Sequence, residues 1–174
     1  DVAGQGRWAK DPGRSSAIVQ SAFARAAGKA LRLDTRASDA IENKLTFSPQ
    51  TGGTHRVSFD FALVDKRPEA SRTEVTMMRM TLRNGLPNAE LLPNSGLLFL
   101  YWGSRGRLVY QGNQSAIFLD NPESGRWYHI DMLLDLDAMK VDLLLDGVSR
   151  LKGLALRDCE SHSIGSLSLT GFVQ

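Results

Sequence analysis

Tyr101 to Gln114, YWGSRGRLVYQGNQ, gathers most of the side chains in this chain that could do recognition chemistry. Tyr101, Trp102 and Tyr110 offer flat apolar rings, and such rings suit the C–H face of a sugar. Arg105, Arg107, Gln111, Asn113 and Gln114 offer guanidinium forks and amides for its hydroxyls. A guanidinium grips carboxylate or sulfate through two parallel hydrogen bonds, so the arginines favour an acidic ligand. Gly103, Gly106 and Gly112 allow tight turns and close approach. Arg79 and Arg83 join the same groove if the alternation of Glu74 to Arg83 places Thr76, Met78, Met80 and Leu82 inward. The candidate ligand-binding set is therefore Tyr101, Trp102, Arg105, Arg107, Tyr110, Arg79 and Asn113. The competing reading packs Tyr101 and Trp102 within a sheet and leaves the arginines solvated.

Other chemistries find less support. No G-x-S-x-G elbow occurs for a serine nucleophile. His55, His129 and His162 lack zinc-ligand spacing. Cys159 is the only cysteine, which excludes an internal disulfide and reads as a small half-buried hydrophobe. Asp135 and Asp137 read as turn residues, Asp131 as outward-facing, and His129 as a hydrogen-bonding group within its own sheet. Calcium is the metal the sequence leaves open, through loop oxygens of Asp120, Asn121 and Glu123. An Asn-Pro turn explains the same residues.

Elements to hold such a surface are legible by alternation. In Trp127 to Asp135, Tyr128, Ile130, Met132 and Leu134 alternate with Trp127, His129, Asp131 and Leu133. Val141, Leu143 and Leu145 continue the pattern after a bend near Asp137-Ala138, and Asp146-Gly147 suits a two-residue hairpin turn. Val57, Phe59, Phe61 and Leu63 form one face of a further strand. Strands are expected at 30–34, 44–47, 56–64, 74–83, 96–102, 107–110, 116–119, 127–135, 140–146, 149–152 and 166–173. Only Ser21 to Lys29 has helix-forming composition, and Gly28 stops it early, so it reads as a strand edge or a single turn. Many short strands between Gly, Pro, Asn and Ser clusters predict an all-β sandwich or barrel.

With 174 residues, one domain spanning 1–174 is expected. The 23% charged fraction and formal charge of +2, without a run of like charges, argue against nucleic acid. No apolar run of about 18 residues exists for a membrane span. The start, DVAGQGRWAK, has neither Met nor an apolar signal core, so the chain reads as a processed or excised piece of a larger protein.

The order of elements resembles that of concanavalin-A-like and laminin-G-like domains. Gly28 to Leu33 (GKALRL), His55 to Leu63 (HRVSFDFAL), Gly125 to Asp131 (GRWYHID), Lys140 to Val148 (KVDLLLDGV) and Ile164 to Gly171 (IGSLSLTG) carry the resemblance. It implies a two-sheet antiparallel jelly-roll sandwich with a sugar site on the concave sheet or its rim. It also implies an extracellular or periplasmic setting, and in many members a structural calcium. The preferred expectation is a non-catalytic, lectin-like module for an acidic polysaccharide. Two alternatives stand beside it. A glycosidase of this superfamily carries E-x-D-x-x-E, which is absent. SRTEV at 71–75, with Arg72 and Glu74, resembles an alginate-lyase strand, but the companion Gln-x-His is absent. The third reading is an adhesion or assembly domain that presents the apolar GLLFLYW strand.

Overall fold

The computed structural model describes the backbone of residues 8–10, 17–20, 30–33, 41–62, 76–83, 96–103, 107–157 and 162–171, and the side chains of 45–62, 81, 83, 107–157 and 162–169. Every regular element among them is a strand. In chain order these are β1 (Trp8–Lys10), β2 (Ala17–Gln20), β3 (Ala30–Leu33), β4 (Ile41–Thr51), β5 (Thr54–Ala62), β6 (Thr76–Arg83) and β7 (Gly96–Gly103). They continue as β8 (Arg107–Gln111), β9 (Ser115–Asp120), β10 (Trp127–Asp135), β11 (Lys140–Leu145), β12 (Val148–Ala155) and β13 (Ser163–Gly171). The stretches 21–29 and 71–75, with Arg105 and Cys159, lie outside the described residues.

All strand pairs are antiparallel. One sheet has seven strands in the order β1-β4-β13-β6-β7-β8-β9, a second has four in the order β12-β11-β10-β5, and β2 pairs with β3. The chain folds as an all-β jelly roll. The alternating residues of β10 and β11 enter the core as their period requires: Ile130, Met132, Leu134 and Leu143 are all fully buried. Phe61 stacks on Tyr128 with ring centroids 5.5 Å apart, while Val57 and Phe59 pack against the same cluster. The seven-stranded sheet contributes Leu108, Tyr110 and Leu167 from the opposite side. Burial of each such side chain is worth about 1.5–3 kcal/mol, so slipping either sheet by one residue is prohibitive.

Turns close where the sequence allows left-handed backbone. Asp146 and Gly147 have φ of 50° and 78° and join β11 to β12 through a two-residue loop. Asp135 and Asp137 hold turns: Asp135 Oδ1 accepts from Ala138 N at 2.8 Å, and Asp137 Oδ2 accepts from Gly53 N at 2.9 Å.

Candidate functional site

The core claims one face of the seven-stranded sheet; on the other, Ser166, Ser168, Thr81 and Val109 are buried as well, while Gln111, Ser115 and Ile117 toward the β9 edge are exposed. On β13, Leu167 and Leu169 belong to or pack against the core. Ser166 and Ser168 alternate with them and so share the opposite face. Residues directly opposite on neighbouring strands lie on the same face, so the register extends that surface across the sheet. One row runs Lys44–Ser168–Thr81–Phe99–Gln111–Ser115. The next runs Glu42–Thr170–Arg79–Tyr101–Val109–Ile117. A shorter third row holds Thr46, Ser166 and Arg83. Hydroxyl-bearing residues thus occupy the centre, with basic residues on β4 and β6 and two aromatic positions on β7. Thr81 and Ser168 are both 0% exposed.

The predicted site residues divide along this geometry. Arg79 and Tyr101 are direct register partners on β6 and β7. Trp102 is opposite Leu108, a core residue, and so takes the other register. Arg107 is half-exposed at the start of β8, with Nε 3.4 Å from Asp120 Oδ1. Asn113 is exposed at the β8–β9 turn, where its backbone N–H donates to Ala155 O at 3.4 Å.

Tyr110 is corrected. The expectation of an exposed ring fails because Tyr110 enters the core at 0% exposure, packed in the same cluster as Leu108. Its hydroxyl donates to Ala155 O at 2.6 Å, and burial pushes its pKa up to about 12. Ala155 belongs to β12, so this bond ties one sheet to the other. Gly112 is required beside it, since a Cβ there would collide with the Tyr110 hydroxyl and Ala155 O.

The loop offered for calcium is held by its own residues. Glu123 N donates to Tyr128 Oη at 2.8 Å, and Glu123 Oε1 pairs with Arg126 Nη1 at 3.0 Å. Asp120 faces Arg107, and Asn121 adopts φ of 50°. Among the described residues no group of three or more His, Cys, Asp or Glu could hold a metal ion. No helix among them is long and apolar enough to cross a membrane.

A second polar cluster lies on the outer face of the four-stranded sheet. Asp131 Oδ1 accepts from Arg56 Nε at 2.8 Å and from the Ser58 hydroxyl, and lies 3.4 Å from His129 Nε2. These donors, the Arg56 hydrogen bond first, hold the Asp131 carboxyl down at about 2. His129 Nδ1 is 2.7 Å from Asp60 Oδ1 on the neighbouring strand, the within-sheet bond expected of it. A nucleophile relay needs a hydroxyl bonded to imidazole. Here Ser58 donates to Asp131 instead, and the cluster is an ion network. Sequence reading placed Asp131 outward but missed Arg56 as its partner, because 75 residues separate them.

No family model matches the chain, and no curated protein matches it in sequence. Comparison of structures is informative. A sialidase aligns over 95% of the chain with a TM-score of 0.66 and 16% identity, the chain spanning 13% of that protein's length. The shared feature is the fold, an antiparallel β jelly roll. The metal-free carbohydrate recognition domain of Emp46p aligns over 95% of this chain and 81% of its own, with a TM-score of 0.55 and 11% identity. Domain 4 of an extracellular arabinanase from Geobacillus stearothermophilus, in complex with arabinotriose, aligns over 91% and 77%, with a TM-score of 0.51 and 12% identity.

Proposed function

We propose that residues 1–174 form one extracellular carbohydrate-binding module that holds a glycan across the outer face of the seven-stranded sheet without transforming it. The observation that carries the reading is the register placing Arg79 beside Tyr101, two positions of the predicted ligand-binding set, on neighbouring strands of the seven-stranded sheet. A guanidinium matches acid groups, and an aromatic position matches the sugar ring. The jelly-roll neighbours support it: one is a carbohydrate recognition domain and another is in complex with arabinotriose. The basic residues in these rows make an acidic polysaccharide the preferred ligand class. Calcium is not needed for this mode of contact.

The test is titration calorimetry against a panel of acidic and neutral polysaccharides, with the chain and its Arg79→Ala and Tyr101→Ala variants. The expected result is binding by the parent chain, at least tenfold weaker binding by each variant, and unchanged far-ultraviolet spectra. Unsaturated product absorbing in the ultraviolet would overturn the non-catalytic reading. Absence of binding to every member of the panel would overturn the module itself.

A further inference from the structure

Among the described residues, Ile117 on β9 and Val148 on β12 are the large apolar side chains most open to solvent, at 49% and 56%. An apolar side chain exposed on its own is ordinary. Ile117 is not on its own. β9 is an edge strand of the seven-stranded sheet. Its pairing with β8 sets Ser115 opposite Gln111, Ile117 opposite Val109 and Asp120 opposite Arg107. Arg107, Val109 and Gln111 alternate along β8, and so share the face that Leu108 and Tyr110 of the core do not use. On a regular strand Ile117 and Asp120, three positions apart, face opposite sides. A shift of register between the Leu108 and Val109 pairs takes up the extra residue, Phe118, which is 4% exposed in the core. Bulges of this kind re-aim side chains and concentrate at sheet edges and beside sites. This one brings Asp120 onto the face that carries Ile117.

The outcome is an apolar centre bracketed by two polar pairs. Val109, 7% exposed, backs Ile117 on its inner side. Toward one end, Gln111 and Ser115 expose an amide and a hydroxyl. Toward the other, Arg107 Nε stands 3.4 Å from Asp120 Oδ1, with side chains 39% and 63% exposed. A charge-assisted bond is shorter, about 2.7–2.9 Å, so this contact orients the two groups without using up their bonding capacity. Arg107 and Gln111 are four residues apart on β8, about 13 Å along the strand. A sugar hydroxyl both donates and accepts, and neighbouring hydroxyls are matched by a guanidinium donor set beside a carboxylate acceptor. An acid group is not matched there, because Asp120 repels it.

We infer that Arg107, Asp120, Gln111, Ser115 and Ile117 form a neutral-sugar subsite at the β9 edge of the glycan face. The C–H face of a sugar ring lies on Ile117, two of its hydroxyls meet Arg107 and Asp120, and Gln111 and Ser115 meet the ring beyond. The inference rests on the reading that this sheet binds carbohydrate, and it specifies the ligand further. The polymer carries uncharged rings next to the acid groups that Arg79 favours.

The test compares the parent chain with Asp120→Asn and Ile117→Thr, which keep the size of one side chain and the β-branching of the other. The probes are neutral arabinan and galactan oligosaccharides, fully O-methylated arabinan and polygalacturonate. Calorimetric affinity and Tm are read together. The parent is expected to bind the neutral oligosaccharides and not the O-methylated probe, whose hydroxyl donors are blocked. Asp120→Asn should weaken neutral binding about tenfold, as befits loss of a charged acceptor, while binding of polygalacturonate stays the same or tightens. Ile117→Thr should weaken neutral binding several-fold. Tm should match the parent in both, because the side chains are exposed. Parent-like affinity for the neutral probes in both variants, equal weakening of neutral and acidic probes by Asp120→Asn, or a loss of binding that follows a fall in Tm would overturn the subsite. A parent chain that binds polygalacturonate alone would overturn it too and leave the carbohydrate reading intact. A parent chain that binds none of the probes would remove that reading, and the subsite with it.

Discussion

Asp131 shows how a single position on an outer sheet face can be buried without joining the core. Its side chain is 6% exposed, against 62% for its partner Arg56. The guanidinium and the Ser58 hydroxyl hold the carboxyl at about 2, against an ordinary value of 3.8. The unfolded chain therefore takes up this proton at a higher pH than the folded one. The stabilisation is complete above about pH 4 and is lost as pH falls through about 2. Asp131→Asn should lower Tm at pH 7 and flatten the acid limb of the curve, so that variant and parent converge near pH 2. Circular-dichroism melting from pH 2 to 7 checks this. A gap constant across that range would mean that the charge of Asp131 does not contribute.

At the scale of elements, the β8–β9 turn is fastened to the end of β12. Ala155 O accepts from the Tyr110 hydroxyl at 2.6 Å and from Asn113 N at 3.4 Å, with Gly112 pressed against both partners. Gly112→Ala forces a methyl into that contact and should destabilise by about 2 kcal/mol, about 4–8 °C in Tm. Tyr110→Phe loses only a hydrogen bond and should cost about 1 kcal/mol. Equal melting of both variants and the parent would show that the fastening is not needed. The strands so joined were legible where one face is apolar and the other is not, as in β5, β10 and β11. Alternation there names the buried residues one by one. β1 and β2, at three and four residues, are too short to show a period. β7 is apolar in both registers, so GLLFLYW alone does not say which of Tyr101 and Trp102 shares the register of the core; Trp102 pairs with the core residue Leu108 and Tyr101 with Val109. Tyr110 was misread because an aromatic residue among arginines and amides looks the same in sequence whether it faces ligand or core. Thr81 and Ser168 gave no signal, since small hydroxyl residues are common and their meeting depends on β6 pairing with β13 from far along the chain.

For the whole molecule, the balance of charge decides how a glycan is attracted. Lys and Arg number 21 and Asp and Glu 19, a formal charge of +2, so no strong field surrounds the protein. Attraction for an acidic polymer then has to come from the local rows that contain Lys44, Arg79 and Arg83, at contact range. Exposed charges are screened beyond about 10 Å at 0.1 M salt, whereas sealed contacts are screened far less. Raising salt from 50 to 500 mM should therefore weaken binding of polygalacturonate several-fold but not abolish it. The loss should fall mainly on the association rate, because screening acts on the encounter. Short-range contacts, once formed, should leave the dissociation rate nearly unchanged. Surface plasmon resonance over that salt range separates the two rates. Complete loss of binding at 500 mM would mean that diffuse surface charge, rather than contacts at close range, holds the polymer. Indifference to salt would mean that the acid group is not what the face recognises.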